Sequence, residues 1–383
     1  MLRRDLLRSL LATPLAGRFR SWIPSAFGGG AVPGPDASTI YRRVFGWSDG
    51  LPPEDSQRLL KAASIAIDDP AVDALIDRAG PALAAIREAA AIDRCDWGVE
   101  ILSGSDLGKG HLDISTVHVI RAACLSARRH AGRGRGRAAL DDVFAGLTLA
   151  HRIGTGGVLI ARVLECGGEV PAFQTLGRIL PGLDPATLDD LSRRLDVLPP
   201  PEPASATIGP ESRFIVATLR AKLLAGGPKL AGDDWKEVGF GPEEAEALER
   251  LTGGDRAALL AHLAGSGPGF AELARRLDLP RPGCRAALDE FARSGRSTYP
   301  LAATLTESVW GVRHVVDRMR ALRVMLRAGL ALVRDGEPAF RAVADPFGSG
   351  PFGLVRRDGD CLIRSALRDE GSPEVTLGVG DPT

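Results

Sequence analysis

His111 and His118 flank Asp113 in the stretch "HLDISTVH", an arrangement of residue types that can ligate a metal or move a proton. Chemistry at one ion needs convergence, however, and on a continuous helix a seven-residue spacing separates the two imidazoles by ~10 Å. Glu307 and His314 are separated in the same way. Structural or solvent-facing roles are therefore expected for all six histidines, His111, His118, His130, His151, His262 and His314. No spacing marks a metal-ligand set, a cofactor site or a catalytic set. "GSDLGKG", Gly104 to Gly110, is one residue too short for a phosphate-cradling loop and lacks Ser or Thr after Lys109. No G-x-S-x-G nucleophile turn is present.

Cys95 and Asp96 in "CDWG" suggest a reactive thiol, yet no histidine lies nearby in sequence to activate it. Trp97 reads instead as an anchor in a core pocket, with Asp96 bonding a turn that Gly98 permits. The five cysteines, Cys95, Cys124, Cys166, Cys284 and Cys361, never pair as CxxC, which fits buried thiols better than a disulfide or zinc framework. An enzyme remains as the alternative only if Asp96, His118 and His151 are brought together by pairing of the helices that carry the two histidines.

The densest charge is "ARRHAGRGRGR", where Arg128, Arg129, Arg133, Arg135 and Arg137 could contact an anionic partner. No aromatic is interleaved to stack a base, and cations also suit a helix C-terminus, so a solvated loop is the expectation. Acidic and basic residues balance at 48 each and aromatics make up 5%, so no global field or stacking platform favours nucleic acid.

The elements that would position these residues are mostly helices. Val117, Ile120, Cys124 and Ala127 recur at helical spacing, as do Leu140, Val143, Phe144, Leu147 and Ala150, with "AGRGRGR" between them; the two helices should fold back as an antiparallel pair. A third helix is expected through "VLIARVLE". A fourth has Asp184 as cap, Pro185 in its first turn, a Leu188, Leu191, Leu195 stripe and a stop from Pro199. Short helices with Gly or Pro stops follow over 212–295. A long helix should run from Tyr299-Pro300 to about Asp335, with Leu305, Val312, Met319, Leu326 and Val333 at sevens and Arg323 as its polar break. At the end, Asp345-Pro346 and Gly348 make a turn, and the runs Phe352 to Arg356 and Cys361 to Ser365 flank Asp358-Gly359 as a β-hairpin.

The fold expected is mainly α: antiparallel helical hairpins, tetratricopeptide-like in part, with a long late helix and a small C-terminal β-hairpin. Residues 1–38 read as an export-like or membrane-surface segment and joint, because Arg3-Arg4 precede Leu6-Leu7 and a short apolar run, the order of a twin-arginine signal. Residues 39–199 form the first helical domain, 200–211 a proline-rich linker, 212–340 a second helical domain and 341–383 the hairpin tail. The chain from Tyr41 to Pro200, with "CDWG" and the helical hairpin, resembles a family of uncharacterised proteins widespread in planctomycete-type bacteria, which often begin with an export-like segment. The tail, through Asp345, Pro346, Phe347, Gly348, Phe352, Arg356 and Ser365, is similar to the C-terminal end of type II secretion pseudopilins. It departs from them in lacking a cleavable pilin leader and a tyrosine in the second strand. That resemblance implies a secretion-associated role and possible calcium ligands at Asp345, Asp369 and Glu370, although a hairpin cap on the long helix is the expectation. The function expected is a non-enzymatic helical scaffold of the cell envelope, periplasmic or envelope-associated. It would need no cofactor, have an unidentified protein partner and take peripheral membrane contact through its N-terminus.

Overall fold

A computed structural model describes residues 35–62, 65–97, 114–155, 157–225, 242–253, 255–357, 360–368 and 374–380. Residues 1–34, with Arg3 and Arg4, and 98–113, with His111 and the Gly104–Gly110 loop, lie outside them. Within the described residues the protein is mainly α, with fifteen helices and one small antiparallel sheet. The first three helices are α1 (Ala37–Asp49), α2 (Pro53–Leu60) and α3 (Pro70–Ala90). Aspartates start several helices by accepting from exposed N–H groups: Asp36 from Ser38 N and Asp69 from Ala71 N.

The expected antiparallel pair is α4 (Ile114–Gly132) and α5 (Gly136–Gly154), which pack closely along each other. Gly134 between them has φ +70°, a left-handed conformation that a side chain would strain. The third helix, α6 (Leu159–Ile179), does not end near Glu165 as its apolar run suggests. It continues through Gly167, Gly168 and Pro171 because it is clamped on both sides: a Cβ at Gly168 would stand 2.4 Å from the Ile120 side chain of α4. Close packing of small residues thus outweighs their weak helix propensity.

Helix α7 (Pro185–Val197) starts as its sequence demands, with Asp184 accepting from Thr187 N at 2.9 Å. The proline-rich segment read as a linker carries a 3₁₀ turn, Ala204–Thr207, and α8 (Ile208–Ala225) begins within it. The short helices follow as expected: α9 (Pro242–Thr252), α10 (Arg256–Ala264), α11 (Gly267–Leu277) and α12 (Arg281–Ser294). The late long helix is interrupted at Leu305, giving α13 (Pro300–Thr304) and α14 (Thr306–Asp335). Thr304 and Thr306 hydroxyls donate back to the carbonyls of Pro300 and Ala303, competing with the helix ladder at that point. Helix α14 is about 45 Å long. It buries Val309, Val312, Val316, Met319 and Leu326 along α6.

A short helix, α15 (Glu337–Arg341), leads to the tail. The expected hairpin, β1 (Gly353–Arg357) with β2 (Asp360–Arg364), is extended by β3 (Thr376–Val379) in the order β1-β2-β3. The alternation of Thr376 to Val379 is too short to announce a strand. Its place is set by glycines: Gly380 N donates to Gly177 O of α6 at 3.3 Å, and a Cβ at Gly177 would collide with Gly378 O. Gly329 of α14 likewise makes room for Val379.

Arginines tie the helices together by donating to carbonyls at the ends of their neighbours, which have no partner within their own helix. Arg121 donates to Leu60 O, Arg152 to Ala89 O, Arg327 to Leu195 O and Arg313 to Leu277 O. One connected apolar core runs from Ala37 to Val379.

Candidate functional site

Helix α5 ends at Gly154 and α6 begins at Leu159, so the chain reverses in a few residues and lays the last turn of α5 against the first turns of α6. His151 comes from the α5 end; Arg162, Glu165 and Glu169 lie one helical turn apart along α6, facing the same way. His151 Nδ1 is 3.3 Å from Glu165 Oε1. Glu165 presents its other oxygen to Arg162 Nη1, and Arg162 Nη2 donates to Glu202. The polar atoms of His151, Glu165 and Glu169 that could bind a cation all lie within 4.8 Å of one another.

Arg162 and Glu165 are both about 1% exposed, so each charge depends on the other to be tolerable there. Gly154 is what admits the Glu165 carboxylate, since a Cβ at that position would come within 1.9 Å of Oε2. Burial, reinforced by repulsion from Glu165 and opposed by Arg323 and Arg162, pushes the Glu169 carboxyl up to about 8. The Cys166 thiol beside it is raised well above its ordinary value by burial and by the same two carboxylates, which keeps it an inert thiol. At the start of α6, where no residue of its own caps it, buried Glu211 of α8 accepts from Leu159 N at 3.0 Å.

This ionic network reaches the surface through the proline-rich segment. Arg323 of α14 donates both terminal nitrogens to it, one to Leu198 O and one to Pro199 O, while Glu202 is held by Arg162. The result is a fixed strap. On its outer side Val197 is 80% exposed, and Pro199, Pro200 and Pro203 are exposed as well. Val197 has the largest fractional exposure of any large apolar side chain among the described residues.

The residues singled out by sequence go to separate partners. Asp96 is exposed and its N–H donates to Asp36. His118 is buried and shares a 3.0 Å hydrogen bond with Ser48, and burial, then Arg121, lowers it to about 4. His151 faces Glu165. Asp96, His118 and His151 therefore form no hydrogen-bonded set among the described residues. Trp97 does act as an anchor: its Nε1 donates to Arg152 O at 2.9 Å and its ring stacks on Tyr41 and Phe45. Burial lifts the Cys95 thiol to about 11. Glu307 pairs with Arg285, and His314 with Arg281.

Of the arginine patch, Arg128 is buried and donates to Ala62 O and Ile65 O, and Arg129 is held by Asp73 and Asp77. Arg133 reaches Asp73 at 3.6 Å, and the side chains of Arg135 and Arg137 are exposed. As an anionic-partner surface the five are thus divided, because the acids that hold two of them sit on α3, far off in sequence. Asp345 accepts from Phe347 N, Ser365 Oγ and Ala366 N, so it fixes the tail turn; Asp369 and Glu370 lie outside the described residues. The sequence offered only Asp345, Asp369 and Glu370 of the tail as cation ligands and marked Arg323 only as a polar break; Arg162, Glu165, Glu169 and Glu202 it passed over. The one local signal was the Glu165, Glu169 spacing of four, which is unfavourable in a helix unless something balances it. Comparison with family models, with curated proteins and with solved structures finds no match to this chain.

Proposed function

We propose that the protein is a non-enzymatic helical scaffold that binds a protein partner at the cell envelope, with the strap over 197–203 as a contact surface. The observation that carries this reading is the strap itself. An exposed apolar side chain and three exposed prolines lie on a segment held by buried Arg162 and half-buried Arg323. A preordered apolar surface loses little conformational entropy on binding, which favours its use as a docking edge. The envelope placement rests on the paired-arginine order at Arg3 and Arg4. The enzyme built on Asp96, His118 and His151 is the weaker reading, because their hydrogen bonds lead to different parts of the fold.

The test is a pull-down from the native envelope fraction with the full chain, read by mass spectrometry, alongside Val197→Asp. That side chain contacts little of the core, so the substitution should leave the fold intact. A protein enriched by the wild type and lost with Val197→Asp is the expected result. Enrichment of nothing above control overturns the scaffold reading, and equal retention by Val197→Asp removes the strap as its surface.

A further inference from the structure

We propose that His151, Glu165 and Glu169 form a binding site for one divalent first-row transition ion, of the Zn²⁺ or Mn²⁺ class, at the α5 to α6 reversal. Three ligands from two helices meet there with their donor atoms within 4.8 Å. The 3.3 Å between His151 Nδ1 and Glu165 Oε1 matches the separation of about 3.3 Å between two ligands on a tetrahedral ion with bonds of ~2.0 Å.

Three further features are those of a built site rather than a chance gathering of acids. The Glu165 carboxylate is buried and oriented: Arg162 holds one oxygen, leaving the other directed at His151. Such outer contacts are what fix metal-ligating carboxylates. Gly154 makes the room that the Glu165 carboxylate occupies, so a side chain there would displace this ligand. Glu169, half-buried, receives no hydrogen bond from any described residue, although the buried Glu165 stands one turn away. Two carboxylates so placed repel, and a cation between them reverses the sign of that interaction.

The nearby cations are already engaged: Arg162 is shared between Glu165 and Glu202, and Arg323 is turned to the strap carbonyls. His151 adds a nitrogen donor to the two carboxylates. A mixed nitrogen and oxygen set suits Zn²⁺, Mn²⁺ or Fe²⁺, whereas Ca²⁺ takes six to eight oxygens and Cu⁺ prefers sulfur. Three protein ligands leave a coordination position for water or for a donor from a bound partner. His151 lies at the surface end of the site, with its side chain 30% exposed, giving an ion a way in.

The test uses the full chain, stripped with chelator and dialysed against Zn²⁺, then separately Mn²⁺, with bound metal counted by elemental analysis and affinity by calorimetry. A single equivalent should be retained, and Co²⁺ loaded in its place should give the visible bands of a four- or five-coordinate site. His151→Ala and Glu169→Gln should each weaken binding at least about tenfold. Glu337→Gln, on the distant α15, should not. Glu169→Gln keeps the shape and removes only the carboxylate ligand in a half-buried residue, so it tests the site even if His151→Ala unfolds, as circular dichroism would reveal. Substoichiometric retention of both ions, or equal affinity in wild type and Glu169→Gln, overturns the site.

Discussion

His118 shows how a single burial decision becomes a property of the protein. Its ring sits in α4, 5% exposed, sharing a hydrogen bond with Ser48, and its lowering to about 4 comes first from that burial. The unfolded chain takes up a proton near the ordinary value of 6.5 while the folded chain refuses it until about 4, so stability falls as pH drops through that window. The loss approaches about 3 kcal/mol at its limit. Glu169 acts in the opposite sense, since its folded value of about 8 means the native state holds an extra proton that is lost as pH rises. Urea titrations of wild type and His118→Gln between pH 4 and 7 separate the two. The difference in stability between them should shrink or reverse as pH falls, and a pH-independent difference refutes the assignment. At this scale sequence served Trp97 and Asp184 well, because an aromatic between turn residues and an aspartate before Pro185 have local meanings. It did not serve Glu165, whose partner His151 comes from another helix and whose partner Arg162 is shared with Glu202 of the proline-rich segment.

Among the elements, the strap depends on one residue of α14. Arg323 stands out in the heptad pattern as a polar break, yet that break is the reason the segment after α7 is held: its guanidinium satisfies the Leu198 and Pro199 carbonyls. Arg323→Ala should therefore leave α14 helical and free the strap. Limited proteolysis should then cut within 198–203 much faster than in wild type, with far-UV circular dichroism nearly unchanged; equal cutting rates count against the latch. The same comparison explains α6. Its amphipathic stripe fades after Glu165 because α4, α5, α14 and β3 all pack on it, and a helix covered on several sides has no wet face to generate a period.

Among the described residues the main apolar core is continuous from Ala37 in α1 to Val379 in β3, with a small separate cluster of Cys166, Val315 and Met319 between α6 and α14. The C-terminal strand is therefore part of the body and not an appendage: Leu377 is fully buried, and β3 packs on α6 and α14. Leu377→Ala should cost about 2–5 kcal/mol. It should lower the midpoint of one shared transition, with tryptophan fluorescence and circular dichroism falling together. Two separated transitions in wild type would favour division at the proline-rich segment instead.

Taken alone, the sequence determined that this chain is mainly helical, where most helices begin and stop, and which stripe of α14 is buried. Those properties depend on caps, breakers and apolar spacing within a few turns, and a chain carries that information locally. Only the tertiary structure decided that the late helix breaks at Leu305, that a third strand docks against glycines of α6 and α14, and that Arg129 and Arg133 of the basic patch are held by acids of α3. It also decided that His151 meets Glu165 and Glu169, with Gly154 making room for the Glu165 carboxylate. Each of these rests on a contact between segments, where the geometry of approach sets which side chains meet, and no spacing along the chain encodes that geometry.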